Sequence, residues 1–291
     1  MSAISGINAA AGDLLRQTYD ALRQLVMAAN PFMQIIARIS TESDDLCTAA
    51  GDLASGPLRK SLDGIKADLA ALIRQHDLVE PFAHVEAVEL LRQQNRPETV
   101  KLLLVAESHV RVSDDNFSQR GCGFIYEPRY TTRWWYDLFL PGFGSNRQGR
   151  LTPDLKVRML ARMRDAGFWV LDASVLSLSG YAKVGSQENR PFSKAPYGST
   201  LEGKLLDLSW RTYVQATFCA LMTAPNPPVL AAYGRISHLL PSQWRSEAEP
   251  FLVFPAQNNQ AQYRQATFVG GTETFRRKAA AAGLETCLRG V

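Results

Sequence analysis

Leu102, Leu103, Leu104 and Val105 form an unbroken apolar run between Lys101 and the polar series Glu107, Ser108, His109 and Arg111. The run is too short for a typical helix and predicts a strand buried on both faces, as in a parallel sheet. Three more runs repeat the pattern. Phe168 to Val175 is interrupted at Asp172, Pro228 to Tyr233 ends at Gly234, and Phe251 to Phe254 enters Pro255. The segments between them have helical spacing. Pro153 to Ala166 is a basic amphipathic helix (Lys156, Arg158, Arg162, Arg164) stopped by Gly167. Leu201 to Met222 is helical and closed by Pro225-Asn226-Pro227-Pro228, Arg235 to Leu240 begins a helix, and Thr272 to Ala282 is a closing basic helix. Gly180 to Gly198 reads as a long loop, and the residues ahead of Gly121 as a polar one. This alternation predicts an α/β, three-layer sandwich with a short, mainly parallel four-stranded sheet, its strand-end loops gathered together.

The pattern differs over residues 1–98, which read as a helical N-terminal extension or cap ahead of an α/β domain at 99–291. Leu14, Leu15, Tyr19, Leu22, Leu25 and Val26 make one helical stripe, ended by Asn30-Pro31. Phe32 to Ile39 predicts a second short helix. Leu58, Leu62, Ile65, Leu69, Leu72 and Ile73 make a third stripe, and Val85 to Leu91 a fourth. Gly51 to Pro57 is the expected hinge. Stripes of this kind belong to a hydrophobic core more often than to a cofactor site.

Composition adds limits. The chain has 291 residues, 46% hydrophobic and 21% charged, as in an ordinary globular protein. No apolar run approaches a membrane span, and the N-terminus has no signal-peptide pattern. Cys47, Cys122, Cys219 and Cys287 are far apart and form no CxxC, which favours reduced thiols over a zinc site or disulfides. A cytoplasmic protein without metal or cofactor is expected. The net charge of +4 divides unevenly. Residues 1–100 hold 9 Lys and Arg against 13 Asp and Glu, leaving 23 against 15 for the remainder. The net-positive part carries the candidate chemistry, which suits a polyanion such as nucleic acid.

Ligands of open α/β sheets sit outside the carboxyl ends of the strands. Glu107, Ser108 and His109 fall at such an end, although a charged strand exit would look the same. Gly121-Cys-Gly-Phe-Ile-Tyr-Glu-Pro128 permits close backbone approach and presents Phe124. Tyr130 to Phe139 combines aromatics with Arg133, a pairing that stacks bases or simply fills a core. Asp172 must be paired, solvated at the strand end, or functional. Pro255-Ala-Gln-Asn-Asn-Gln260 is an amide-rich loop followed by Tyr263 and Arg264.

In this order, the segments resemble the uracil-DNA glycosylase superfamily over roughly residues 99–284. The family's first motif, a strand followed by Gly-Gln-Asp-Pro-Tyr-His or Gly-Glu-Ala-Pro-Gly, falls on Ala106-Glu-Ser-His-Val-Arg111. Its base-stacking Phe segment resembles Gly121-Cys-Gly-Phe124. Its strand ending in the uracil-reading Asn resembles Gly167-Phe-Trp-Val-Leu-Asp172, and its Leu-Leu-Trp-Gly strand resembles Leu230-Ala-Ala-Tyr-Gly234. Its His-Pro-Ser loop, which enters the DNA minor groove, resembles Phe254-Pro-Ala-Gln-Asn-Asn259. The departures are specific. Ser108 stands at the water-activating Asp or Asn, Asp172 replaces the reading Asn, and Gln257, Asn258 or Asn259 stands where the last His would be.

The resemblance implies a DNA glycosylase that flips a base out of single- or double-stranded DNA and excises it, leaving an abasic site. An Asn amide offers a donor and an acceptor to uracil, whereas an ionised Asp offers acceptors only. Asp172 then suits the amino group of cytosine. A mismatched polar edge in a buried pocket costs about 1–3 kcal/mol. Excision of plain cytosine would destroy the host genome, which leaves a modified cytosine, such as one in foreign or phage DNA, and an antiviral role. In this reading Glu107 and Ser108 act at the sugar or water and Asn258 at the departing base. Phe124, Asp172 and Asn259 hold the base, and His109, Arg111 and Arg264 hold phosphates. The alternatives are a catalytically silent nucleic-acid-binding module of the same fold, and an enzyme on free nucleotides with residues 1–98 as a lid.

Overall fold

The structure is a computed structural model that describes residues 9–29, 38, 41–42, 45, 64, 79–110, 112, 114–131, 140–145, 151–178, 201–247 and 273–291. The regular elements are α1 (Ala9–Ala29), α2 (Phe82–Gln94), β1 (Leu102–Ala106), α3 (Asp114–Arg120), α4 (Pro153–Ala166), β2 (Phe168–Asp172), α5 (Leu201–Ser209), α6 (Gln215–Met222), β3 (Val229–Ala232) and a helix α7 over residues 273–281. A π-helical turn, Trp210–Val214, joins α5 to α6. Short 3-10 turns occupy Leu140–Phe143, Gly234–Leu239 and Ser242–Glu247.

The three described strands form one parallel sheet in the order β2-β1-β3. β1 is central, and all five of its side chains are fully buried. An apolar run with no polar alternation has no face to offer solvent, and both faces of this sheet are covered. Phe168 meets Phe143 and Phe275 edge-on on one face. Its neighbour Trp169 turns the other way, and its indole N–H donates to the Arg92 carbonyl of α2 at 3.0 Å. The protein is thus broadly α/β. The expected fourth strand, Phe251 to Phe254, lies outside the described residues, as do the third stripe and, apart from residue 38, the second helix expected at 32–39.

Helix α4 begins and ends where the sequence predicts, although Lys156 of its basic series is buried. The Thr152 hydroxyl caps it by accepting from the Leu155 amide at 3.3 Å, and Pro153 opens the first turn. Gly167 ends it at φ 106. A side chain there would be strained, and its Cβ would meet the Thr99 carbonyl oxygen at 2.9 Å.

Three features differ from the sequence expectation. Residues 114–120, expected as polar loop, form α3, a short helix whose Phe117 packs against the body. Leu14 is 43% exposed, because Leu15, Tyr19, Leu22 and Val26 complete the buried stripe of α1 and position 14 lies off it. The helical run Leu201 to Met222 contains the π turn. Helices α1 and α2 share one continuous core with the sheet. No helix among the described residues is long and apolar enough to cross a membrane.

Candidate functional site

The carboxyl ends of β1 and β2 are zipped together past the last ladder pair. Ala106 faces Asp172 in register. Beyond it, the Ala173 amide donates to the Ala106 carbonyl at 2.8 Å and the Ser174 amide to the Glu107 carbonyl at 3.0 Å. The Ser108 hydroxyl accepts from the Leu178 amide at 3.1 Å. The loops after the two strands are therefore one unit, and Glu107, Ser108, His109 and Asp172 belong to it.

His109 is buried, and its Nε2 lies 2.8 Å from Glu80 Oε2. Glu80 stands just ahead of α2. Its Oε1 accepts from the Ser177 amide, and its backbone carbonyl accepts from Tyr19 Oη at 2.8 Å. Burial alone would drive the proton off His109. The charges of Glu80 and Asp172, with the hydrogen bond to Glu80, outweigh that and raise its pKa above the ordinary value.

Asp172 is 6% exposed, and its Oδ2 has no hydrogen-bond partner among the described residues. Burial pushes its carboxyl up to about 6, against the pull of His109 and Arg92 and with the repulsion of Glu89 and Glu80. Arg92 is itself buried, and its Nε donates to Glu89 Oε2 at 2.9 Å. At the end of β3 the Tyr233 amide donates to the Val105 carbonyl at 3.2 Å. Burial holds the Tyr233 phenol well above its usual value, with Asp172 and Glu107 adding to the shift. All three strand ends thus send a polar group to one place.

A cavity of about 20 Å³ opens beside Asp172, lined by Ser174, Glu89, Arg92 and Tyr213 among others. Ser174 Oγ is a second buried oxygen without a partner. The volume suits a single water.

The base-stacking candidate Phe124 is 3% exposed and stands edge-on to Tyr126, ring centres 5.3 Å apart. Its loop is anchored by Lys156, whose Nζ donates to the carbonyls of Glu127 at 2.5 Å and Tyr130 at 2.7 Å. The loop is also tied to the β1 exit, where the Val110 amide donates to the Gly123 carbonyl at 2.9 Å.

Comparison with known families, curated proteins and solved structures finds no match.

Of the residues singled out from sequence, Glu107, Ser108, His109 and Asp172 are brought together, and the loop bearing Phe124 is bonded to the same exit. His109 faces Glu80 inside the protein, which gives it no place on a phosphate-binding surface. Arg111, Asn258, Asn259 and Arg264 lie outside the described residues. Glu80, Glu89, Arg92 and Tyr233 were not anticipated. Only the Glu80-Pro81 step gave a local signal, an acid ahead of a helix start, and that ordinarily marks a helix N-terminus. No group of His, Cys, Asp and Glu among the described residues could hold a metal. The three described cysteines, Cys122, Cys219 and Cys287, are free thiols.

Proposed function

We propose that this chain is a DNA glycosylase that excises a modified cytosine, built on a uracil-DNA glycosylase-like sheet that Phe251 to Phe254 completes as a fourth strand. The observation that carries the reading is Asp172: a buried carboxyl at the carboxyl end of β2, one oxygen unpartnered, beside the β1 exit bearing Glu107. An isolated buried carboxylate is costly, and chains keep one where it has work to do. Ionised Asp172 accepts the exocyclic amino group of a cytosine-type base. Glu107 stabilises the positive charge that develops on the sugar as the bond to the base breaks, or orients the attacking water.

The test is base release. Purified protein is incubated with DNA containing unmodified, methylated, hydroxymethylated or glucosylated cytosine, or uracil. Free base is read by mass spectrometry and abasic sites by alkaline cleavage. Release from one modified cytosine, lost in Asp172→Ala, is the expected outcome. Asp172→Asn shifts preference toward uracil. No release from any of these DNAs removes the reading.

The second reading, a catalytically silent nucleic-acid-binding module, is favoured by one observation. Ligand pockets measure roughly 300–1,000 Å³, whereas the cavity at Asp172 is about 20 Å³ and Phe124 is buried. Such a module shifts DNA mobility, with affinity falling steeply with salt, and releases no base.

A further inference from the structure

Glu80 lies outside every segment that the sequence offers for chemistry, yet it is anchored to both strand exits and to α1. Tyr19 of α1 holds its backbone, the Ser177 amide after β2 holds Oε1, and His109 after β1 meets Oε2. An ionised carboxylate has no hydrogen to give, so with Glu80 ionised the hydrogen between Glu80 and His109 sits on Nε2. The imidazole then lies between two acids, Glu80 in contact and Asp172 near enough for their charges to interact.

We propose that Glu80 is a positioning residue that holds the His109 imidazole at the strand exit shared with Asp172 and thereby decides which base edge the site accepts. The inference rests on the glycosylase reading and names what sets its specificity. A protonated His109 favours the ionised form of Asp172 against its burial. Ionised, Asp172 offers only acceptors and suits an amino group. Protonated, it offers one donor and one acceptor, the same pair as an asparagine amide, and suits uracil. The other groups that act on Asp172 are Arg92 and Glu89 of α2, which are paired with each other, and Glu80 itself. The phenols of Tyr126 and Tyr233 feel its charge, and burial keeps both neutral across the working range. His109 is the group in this set whose charge Glu80 controls.

The test is an NMR titration of Glu80→Gln, which keeps the acceptor for Ser177 and removes the charge. Ring nitrogens are followed in histidine-labelled protein, His109 being assigned among the four histidines through His109→Gln. The Asp172 carboxyl carbon is assigned through Asp172→Asn. In Glu80→Gln the His109 midpoint falls. The Asp172 midpoint rises above about 6, and release of uracil relative to modified cytosine increases at neutral pH. Glu80→Asp restores both midpoints at least in part. If Glu80→Gln does not fold, His109→Gln alone must raise the Asp172 midpoint.

An unchanged His109 midpoint in Glu80→Gln, or an Asp172 midpoint that fails to rise in either variant, overturns the inference whatever the protein does to DNA. Midpoints that move while base preference stays fixed overturn the specificity role. Midpoints that move in a protein that releases no base leave the coupling standing and remove the glycosylase reading instead.

Discussion

Asp172 stands in register with Ala106 across the parallel pair β1–β2, so the carboxyl lies at the last rung of the sheet. Its pKa is raised from the ordinary 3.8 to about 6, chiefly by burial. The native state therefore holds this proton more tightly than the unfolded chain does. Stability falls as pH rises from about 4 to about 6 and stays lower above that, by on the order of 3 kcal/mol. Asn carries no charge to bury. Asp172→Asn therefore stabilises the protein by about 1–3 kcal/mol near neutral pH, and the gain vanishes below about pH 4. Urea unfolding at the two pH values checks this. A destabilised Asp172→Asn near neutral pH would mean that the native state favours the carboxylate.

The Glu80–His109 contact has the opposite sign. The His109 pKa is raised from 6.5 even though burial opposes it, through Glu80 and then Asp172. The stabilisation is complete below about pH 6.5 and is lost as pH rises through the folded value. Glu80→Ala strands a buried imidazole and the Ser177 amide, at a cost of about 3–5 kcal/mol. The gap from the parent protein narrows in alkali. Chemical denaturation at about pH 6 and about pH 9 reads both numbers, and equal losses at the two would mean that the contact is between neutral groups.

The legible parts of the fold were those whose signal is local. Leu102 to Val105 predicts a strand covered on both faces, and Pro153 and Gly167 mark both ends of α4. Asp172 stood out because an acid inside an apolar run needs a reason. Glu80 gave no such signal. Its partners His109 and Ser177 are 29 and 97 residues away, and only the folded sheet brings them together. Helix α3 was hidden for a different reason: seven mostly polar residues carry almost no apolar stripe to betray their period.

Lys156 is fully buried, and its amino group serves the Glu127 and Tyr130 carbonyls. Burial lowers its pKa from 10.5 to about 7, with Glu127 opposing. The unfolded chain then binds the proton more tightly, so this group makes stability rise with pH between about 7 and 10.5. Lys156→Met keeps the volume, abolishes that rise, removes the Lys156 donor from the Tyr130 carbonyl and takes one of two donors from the Glu127 carbonyl, which also accepts from the Tyr130 amide. It costs about 1–3 kcal/mol at about pH 9 and less at about pH 6, where the parent carries a buried charge. Denaturation midpoints of the two proteins across that range should diverge with rising pH, and parallel curves would refute the assignment.

Gly123 is the point where the Phe124 loop touches the exit of β1. A Cβ there would lie 2.1 Å from the Val110 carbonyl oxygen and 3.0 Å from Val110 Cβ. Neither side can give way freely. Phe124 is locked in the core, and His109, next to Val110, is held by Glu80. Gly123→Ala must break the Val110–Gly123 bridge, at a cost of about 1–3 kcal/mol, and pull the His109 and Phe124 loops apart. Gly283→Ala is the control. Its φ is +70 with nothing within 4 Å, so it carries only the backbone strain of about 1–2 kcal/mol. The two substitutions should therefore be alike in stability and unlike in the site. Gly123→Ala displaces the His109 ring resonances and abolishes base release, whereas Gly283→Ala leaves both intact. Unmoved His109 resonances in Gly123→Ala would show that the two loops are not coupled through this contact.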